Sequence, residues 1–218
     1  LTKGVFDENI ILTKIEKLKL QTISISSEDF DKVKELFEVF KIPYYNATTE
    51  AEATGAYLSK KGVVVGVLTS DTDVLAYGVT KFITNLNISK ETCTEINMND
   101  LLTKLDMTQS QFTDMCIMCG TDYNKNIPKV GPHKSYSLMK THQSIDNLSE
   151  NTKLDISILK HHRTRELFSF EENYFTHNID YCGQPDMNAV SKFLFKYNCY
   201  IIIDYIKDCF KAKEINFE

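Results

Sequence analysis

The sequence predicts an α/β fold: a parallel-sheet layer followed by a mostly helical half. Three observations carry this. Val63-Val-Val-Gly-Val-Leu68 is a continuous apolar, β-branched run with no polar alternation, the pattern of a strand buried on both faces of a parallel sheet. The segments before it have helical apolar spacing, as in Phe30, Val33, Phe37 and Phe40. Beyond about residue 97 the spacing turns helical and stays so, which puts the boundary between the two halves near residues 97–107.

The elements follow in order. Residues 1–27 are polar, with lysines at 14, 17 and 19, and read as a basic helix leading from a region outside the chain. The chain opens on Leu1 rather than Met, so further residues are expected upstream. Ser26 or Ser27 caps a helix whose first turn holds Glu28 and Asp29, and Pro43 closes it off. Thr48 or Thr49 caps the next, which runs to Lys61 and stops at Gly62. Strands are expected at Val63–Leu68 and at Lys81–Thr84, then helices over roughly 97–105, 108–119 and 131–141, with longer ones to the end.

Composition excludes several classes. Of 218 residues, 42% are hydrophobic and 25% charged, a globular balance rather than a disordered one. No apolar run approaches the roughly 20 residues that span a bilayer, and no secretory signal is visible. The six cysteines are scattered, which fits a reducing, intracellular setting. Cys116-x-x-Cys119 alone has a suggestive spacing, but it lies in an apolar run without a histidine nearby, so core packing is the expected role. The net charge of -5 argues mildly against nucleic-acid binding. Bound divalent cations would offset part of it, and net charge does not describe local patches.

The acids carry the chemistry. Asp71 and Asp73 stand directly after the Val63–Leu68 run, where sites form at the carboxyl ends of strands; a helix N-cap would use the same residues. Glu50 and Glu52 open a helix, where a favourable helix-dipole contact is the plain alternative. Two residues apart, they lie roughly 200° around a helix, so one would hold a metal directly and the other through water. Asp122 follows Gly120, a position that also suits an ordinary turn aspartate. Together the five carboxylates suggest a two-metal cage for phosphodiester cleavage, with hard oxygen ligands for Mg²⁺ or Mn²⁺. After Asp122 comes Lys129-Val130-Gly131-Pro132-His133-Lys134. Proline suits a first helical turn, glycine allows close backbone approach, and free amides at a helix start bind phosphate. Lys125, Lys129, Lys134 and Lys140 surround this turn, although a plain interhelical turn would read alike.

These motifs, in this order, resemble the flap endonuclease/XPG family of structure-specific 5′ nucleases. Ile42-Pro43-Tyr44 followed by Glu50-Ala51-Glu52-Ala53 is similar to its internal motif. Asp71-Thr72-Asp73 with Leu75 and Gly78 is similar to its Asp-x-Asp segment. Cys119-Gly120-Thr121-Asp122-Tyr123, Ile127 and Val130-Gly131-Pro132 resemble its helix-two-turn-helix. The resemblance covers about residues 22–150, and Pro185-Asp186 with Phe193-Leu194-Phe195 suggests the closing helices.

The resemblance implies a PIN-like nuclease domain, of which residues 1–106 would be the carboxyl-terminal part. Residues 107–218 would be a helical extension with the helix-two-turn-helix at about 107–150. Glu50, Glu52, Asp71, Asp73 and Asp122 would hold two Mg²⁺ ions and be catalytic. Backbone oxygens near Cys119, Asn126 and Val130 would hold K⁺, and Lys129, Gly131, His133 and Lys134 would bind the DNA backbone. Substrates would be 5′ flaps and branched or nicked duplexes met in replication and repair, in the nucleus of a eukaryotic cell or in a viral setting. The family's amino-terminal aspartates are not in this chain. Its two basic residues after Gly-Pro are here His133-Lys134, and Lys211–Glu218 carries no sliding-clamp motif. A non-catalytic DNA-binding relative and a PIN-type ribonuclease are the alternatives. Mutually repelling acids argue against the first and the duplex-binding element against the second.

Overall fold

The computed structural model describes residues 8–22, 24–169, 183–199 and 205–208. The chain divides into two compact units, one drawing on Leu1–Tyr45 and Ile179–Glu218, the other on Asn46–Asn178. Within the described residues each has its own core. The Lys211–Glu218 segment, read for a clamp motif, lies outside the described residues.

In the first unit, α1 spans Glu8–Gln21, α2 Ser27–Val39 and α10 Met187–Lys196. Ser26 caps α2 in a reciprocal box with Asp29. The packed face of α2 is not the expected Phe30/Val33/Phe37/Phe40 stripe. Leu36, Val39 and Phe40 pack with Val190, Phe193 and Leu194 of α10, while Phe30 and Val33 are exposed. Only the carboxyl-terminal half of α2 meets α10, so its first two turns stay in solvent. Glu35 fixes the pair by accepting from Lys196 Nζ at 2.9 Å and Tyr197 Oη at 2.6 Å.

The second unit begins with α3, Ala51–Lys60, and continues with β1 Val67–Leu68, α4 Asp73–Ala76, β2 Lys81–Asn87 and β3 Thr92–Asn97. The helices α5 Met98–Leu105, α6 Gln109–Cys119, α7 Pro132–His142, α8 Ile145–Asn151 and α9 His161–Phe168 follow, with a 3₁₀ turn at Ser157–Leu159. The sheet order is β1-β2-β3; β1 pairs parallel and β3 antiparallel with β2. Parallel pairing of β1 and β2 across α4 matches the expected layer architecture.

Two strand readings change. The Val63–Leu68 run yields only a two-residue strand, with Val65 84% and Leu68 54% exposed. None of its residues is buried, so it is not covered on both faces, and among the described residues it has a strand partner on one side only. The β3 strand was not expected, because Thr92-Cys-Thr-Glu-Ile-Asn97 is polar and almost wholly exposed. The core instead sits where α3, α4 and β2 meet the helices. Ala56, Val74, Val79, Ile117, Met118, Met139, Ile145, Leu148 and Leu159 are fully buried there.

Buried ion pairing ties three helices together. Arg165 of α9 grips Asp114 of α6 with two bonds, Nε–Oδ1 at 2.6 Å and Nη2–Oδ2 at 2.7 Å. Asp114 Oδ2 also accepts the Ile145 backbone N–H at 3.0 Å, at the start of α8. Cys116 is packed, and burial pushes its thiol up to about 12. Both Cys116 and Cys119 are free, in keeping with the core reading of that pair.

Candidate active site

Two of the three acidic motifs sit at the start of a helix. Glu50 is the N-cap residue of α3 with an extended backbone, so neither Thr48 nor Thr49 caps that helix. Its side chain makes no capping bond, which leaves the carboxylate free for another partner. Glu52 lies inside the first turn and is half-buried. With Glu50 outside the helix proper, the 200° relation between the two no longer applies.

Asp71 and Asp73 follow β1 at the entry to α4. The Asp73 N–H donates to Asp71 Oδ1 at 2.9 Å, and Asp71 N–H donates to Thr69 Oγ1 at 3.0 Å. One Asp71 oxygen thus does serve the helix start, while the other remains available.

Asp122 is built by a different device. Gly120 ends α6 at φ 92, and Thr121 and Asn124 then bridge as a tight turn. A Cβ on Gly120 would stand 3.0 Å from the Asn126 backbone nitrogen, so only glycine fits there. Asn124 Nδ2 anchors the turn to the Ile117 carbonyl at 2.7 Å. Asp122 is thereby held out at the corner, exposed, beside Asp73 in one cleft, where its backbone N–H favours the charged form of Asp73.

The electrostatics report the convergence. Burial first, then the charges of Asp71, Asp122 and Glu50, raise the Asp73 carboxyl above its usual range. Four of the five acids, from three motifs, therefore share one field. Glu52 does not figure among the charges acting on Asp73. None of the five forms an ion pair among the described residues. Unpaired carboxylates gathered in this way, with Asp73 raised by its neighbours, are the electrostatic counterpart of an oxygen-ligated divalent cation, so the donor set fits Mg²⁺ or Mn²⁺. The group is open rather than closed: no three of these acids bring one oxygen each within 4.8 Å of one another.

An open cleft of about 690 Å³ runs from Asp73 and Asp122 past Thr121 and Lys125 to Asn126 and Pro128. Behind it Tyr77 and Tyr123 share a hydroxyl–hydroxyl bond, and both rings pack edge-on against Phe168. This aromatic support joins the α4 and Asp122 segments; Tyr77 carried no sequence signal beyond helical spacing.

The hairpin follows Pro128, the last residue in sequence of its segment to line the cleft. Lys129 has a left-handed backbone (φ 63), Val130 is buried, Gly131 is the N-cap of α7, and Pro132 is its first residue. Gly131 has an ordinary φ of -112, and a Cβ there would meet nothing within 4 Å. Nothing among the described residues demands a glycine at that exposed position. The first N–H groups of α7 lack intrahelical partners by geometry. His133 and Lys134 are exposed beside them. Asn126 Nδ2 donates to the Ile127 and Val130 carbonyls at 3.2 and 3.4 Å. Cys119, Asn126 and Val130 are therefore gathered around one turn, with Cys119 Sγ 3.5 Å from Ser135 Oγ.

Comparison with known proteins now bears on the chain. The XPG I-region family model matches residues 41–122. A probable RAD2-like endonuclease, 369L, of Invertebrate iridescent virus 6 is 34% identical over 238 residues, covering 98% of this chain and 57% of that protein. The chain belongs to the flap endonuclease/XPG family. Flap endonuclease 1 of Aspergillus clavatus is another relative, 37% identical over 145 residues, 65% of this chain and 37% of that protein. The chain spans about half the length of the curated relatives it matches. Among solved structures, flap endonuclease-1 from Methanococcus jannaschii superposes with TM-score 0.73 at 24% identity, over 95% of this chain and 63% of that one. The catalytic core of Rad2 in complex with a DNA substrate gives TM-score 0.73 at 21% identity, over 84% and 68%. The fold is thus the PIN-like nuclease fold of the flap endonuclease/XPG family.

Proposed function

We propose that the chain belongs to a structure-specific DNA endonuclease and 5′ exonuclease that cleaves phosphodiester bonds at 5′ flaps or at branched or nicked duplexes. The single observation that carries this reading is the shared field of Asp73, Asp71, Asp122 and Glu50, in ion pairs with no basic residue among the described ones, with Asp73 and Asp122 lining an open cleft that reaches Pro128. Relatives named as flap endonucleases and RAD2-like endonucleases support it, as does the likeness of fold to a Rad2 core bound to DNA.

In this reading Glu50, Asp71, Asp73 and Asp122 hold divalent cations as hard oxygen ligands, and Glu52 orients through water. Mg²⁺ bound there supplies Lewis-acid stabilisation and lowers the pKa of a water molecule. The protein's own work is positional. Asp73 N–H fixes the carboxylate orientation of Asp71, and the Asp122 backbone N–H favours the charged form of Asp73. Lys129, the free amides after Gly131, His133 and Lys134 hold backbone phosphates away from the cut. Backbone oxygens near Cys119, Asn126 and Val130 hold a K⁺ ion that stiffens the hairpin. The segment to residue 106 belongs to the nuclease layer and residues 107–218 to the DNA-binding extension, with the helix-two-turn-helix at about 107–150.

The test is cleavage of a labelled 5′-flap duplex in Mg²⁺, beside a single-stranded RNA of equal length. Flap cutting that Asp73→Asn abolishes without loss of DNA binding is expected. Preference for the RNA would favour a ribonuclease, and flap binding without cutting a scaffold.

A further inference from the structure

A second ligand set lies apart from the acidic cleft. Asp146 of α8 and His161 and His162 of α9 each offer one ligand atom, and the three atoms lie within 4.8 Å of one another. His161 Nε2 is 2.9 Å and His162 Nε2 3.7 Å from the same oxygen, Asp146 Oδ1. Tetrahedral bonds of Zn²⁺ to nitrogen and oxygen place neighbouring ligand atoms roughly 3.3 Å apart, and the two distances bracket that spacing.

The internal structure accounts for part of this arrangement only. His161 is buried and hydrogen-bonded to Asp146, an ordinary role. His162 is different. Its side chain is 77% exposed, and at 3.7 Å its Nε2 is too far from Asp146 for a hydrogen bond. Its ring nonetheless lies on His161, 4.1 Å between centroids, with its nitrogen turned to the shared oxygen. A free surface histidine gains little from that pose.

The surroundings are built to hold the carboxylate. Arg165 Nη1 binds Asp146 Oδ2 at 2.8 Å, leaving Oδ1 to the histidines. Arg165 is itself fixed by Asp114. A supporting partner that orients a ligand through its second atom is a recurring feature of metal sites. The charge agrees: one guanidinium is shared between two carboxylates, so the group has an unmatched negative charge facing two imidazoles.

We propose that Asp146, His161 and His162 form a site for a divalent transition metal, Zn²⁺ before Mg²⁺, because two imidazoles and one carboxylate favour the softer ion. The metal takes the place of the proton shared by His161 and Asp146, and water completes a fourth position. By joining α8 to α9 it clasps the helices that carry Leu148 and Phe168 into the core.

The probe is Zn²⁺ alone, titrated calorimetrically in excess Mg²⁺ at about pH 7.5, where imidazole is a neutral ligand. Wild type is expected to take one equivalent. His162→Ala is expected to weaken binding by roughly 100-fold or more, beyond what loss of a supporting residue costs. Its metal-free melting temperature should stay unchanged, since the side chain is exposed. Asp71→Asn with Asp73→Asn should keep the zinc equivalent, which separates this site from the acidic cleft. Co²⁺ offers a second readout on wild type: intense visible bands mark a four-coordinate nitrogen-containing site, weak ones an oxygen-only octahedral site. Failure of wild type to bind Zn²⁺, equal affinity in His162→Ala, loss of zinc from the Asp71/Asp73 variant, or an oxygen-only cobalt spectrum would overturn the proposal.

Discussion

Asp122 and Asp73 line one cleft, and there the Asp122 backbone N–H acts on the Asp73 carboxylate. That proximity joins the turn after α6 to the start of α4 and makes one site of two motifs distant in sequence. The N–H favours the charged form of Asp73, against burial and against the charges of Asp71, Asp122 and Glu50. The balance still lies on the raised side. For a carboxyl raised on folding, the penalty is absent below the unfolded value, 3.8 for aspartate, and fully present above the folded one.

Asp73→Asn should therefore raise the metal-free melting temperature above the acid range, since an uncharged amide escapes both the burial cost of a charge and the repulsion of Asp71, Asp122 and Glu50. Mg²⁺ at 100 times its Kd should stabilise wild type by about 2.7 kcal/mol, roughly 5–10 °C for a chain of this size. The same variant should lose that gain. Differential scanning fluorimetry with and without Mg²⁺ reads both effects. A full Mg²⁺ shift in the variant would remove Asp73 from the ligand set.

Two glycines of the hairpin should part company. Gly120→Ala forces a Cβ onto the Asn126 backbone at a φ of 92 and should cost roughly 1–3 kcal/mol. Gly131→Ala meets open space at an ordinary φ, so folding should be untouched. If a phosphate backbone approaches there, its affinity for branched duplex falls all the same. Lys134→Ala should lower the slope of log K against log salt by about 0.9, the share of one phosphate contact. Fluorescence anisotropy at several KCl concentrations reads these effects, and full DNA affinity in both Gly131→Ala and Lys134→Ala would place the duplex elsewhere.

How far the sequence could be read follows from the range of the forces involved. Helices α2 and α7 were legible from their start signals, Ser26 and Pro132, and α5 and α6 from apolar spacing, because both kinds of signal are local. The run at Val63–Leu68 misled because β-branched composition signals burial only where neighbours exist to cover it. The polar β3 strand, an edge held by β2, has no pattern to detect. Glu50 looked like a residue inside a helix, but the helix begins one residue later. The shared field of the acids could be expected from motif order, but not the cap role of Asp71 or the Tyr77–Tyr123 support. The Arg165–Asp114 grip was invisible, since nothing in either local sequence names its partner.

The cap of α2 gives a pH prediction. Hydrogen bonds from the Ser26 N–H and hydroxyl, then Lys32, lower the Asp29 carboxyl from 3.8 to about 2. A carboxyl depressed on folding stabilises above the unfolded value, and the contribution is lost as pH falls through the folded one. The amino-terminal turn of α2 should thus hold at pH 5 and fray between about 3.8 and 2. Carboxyl NMR of Asp29 reads this directly. In Ser26→Ala the titration should move back toward the ordinary aspartate range; an unchanged midpoint would mean the cap is absent in solution.

The Asp114–Arg165 pair yields the sharpest stability test. Asp114 is 2% exposed and satisfies three donors: two from Arg165 and the Ile145 N–H. Asp114→Ala removes all three acceptor bonds at once and leaves a partly buried guanidinium beside Asp146 alone. Breaking one side of such a pair costs roughly 3–5 kcal/mol, visible as a lower urea midpoint at constant slope. Replacing both partners with apolar residues, Asp114→Leu with Arg165→Met, removes the stranded charge as well. The double variant should then be more stable than Asp114→Ala, although it still leaves the Ile145 N–H unsatisfied. That order of stability separates a pair held by desolvation from one held by Coulomb attraction alone. In the second case, losing either partner would cost about the same as losing both, and Asp114→Ala would match the double variant.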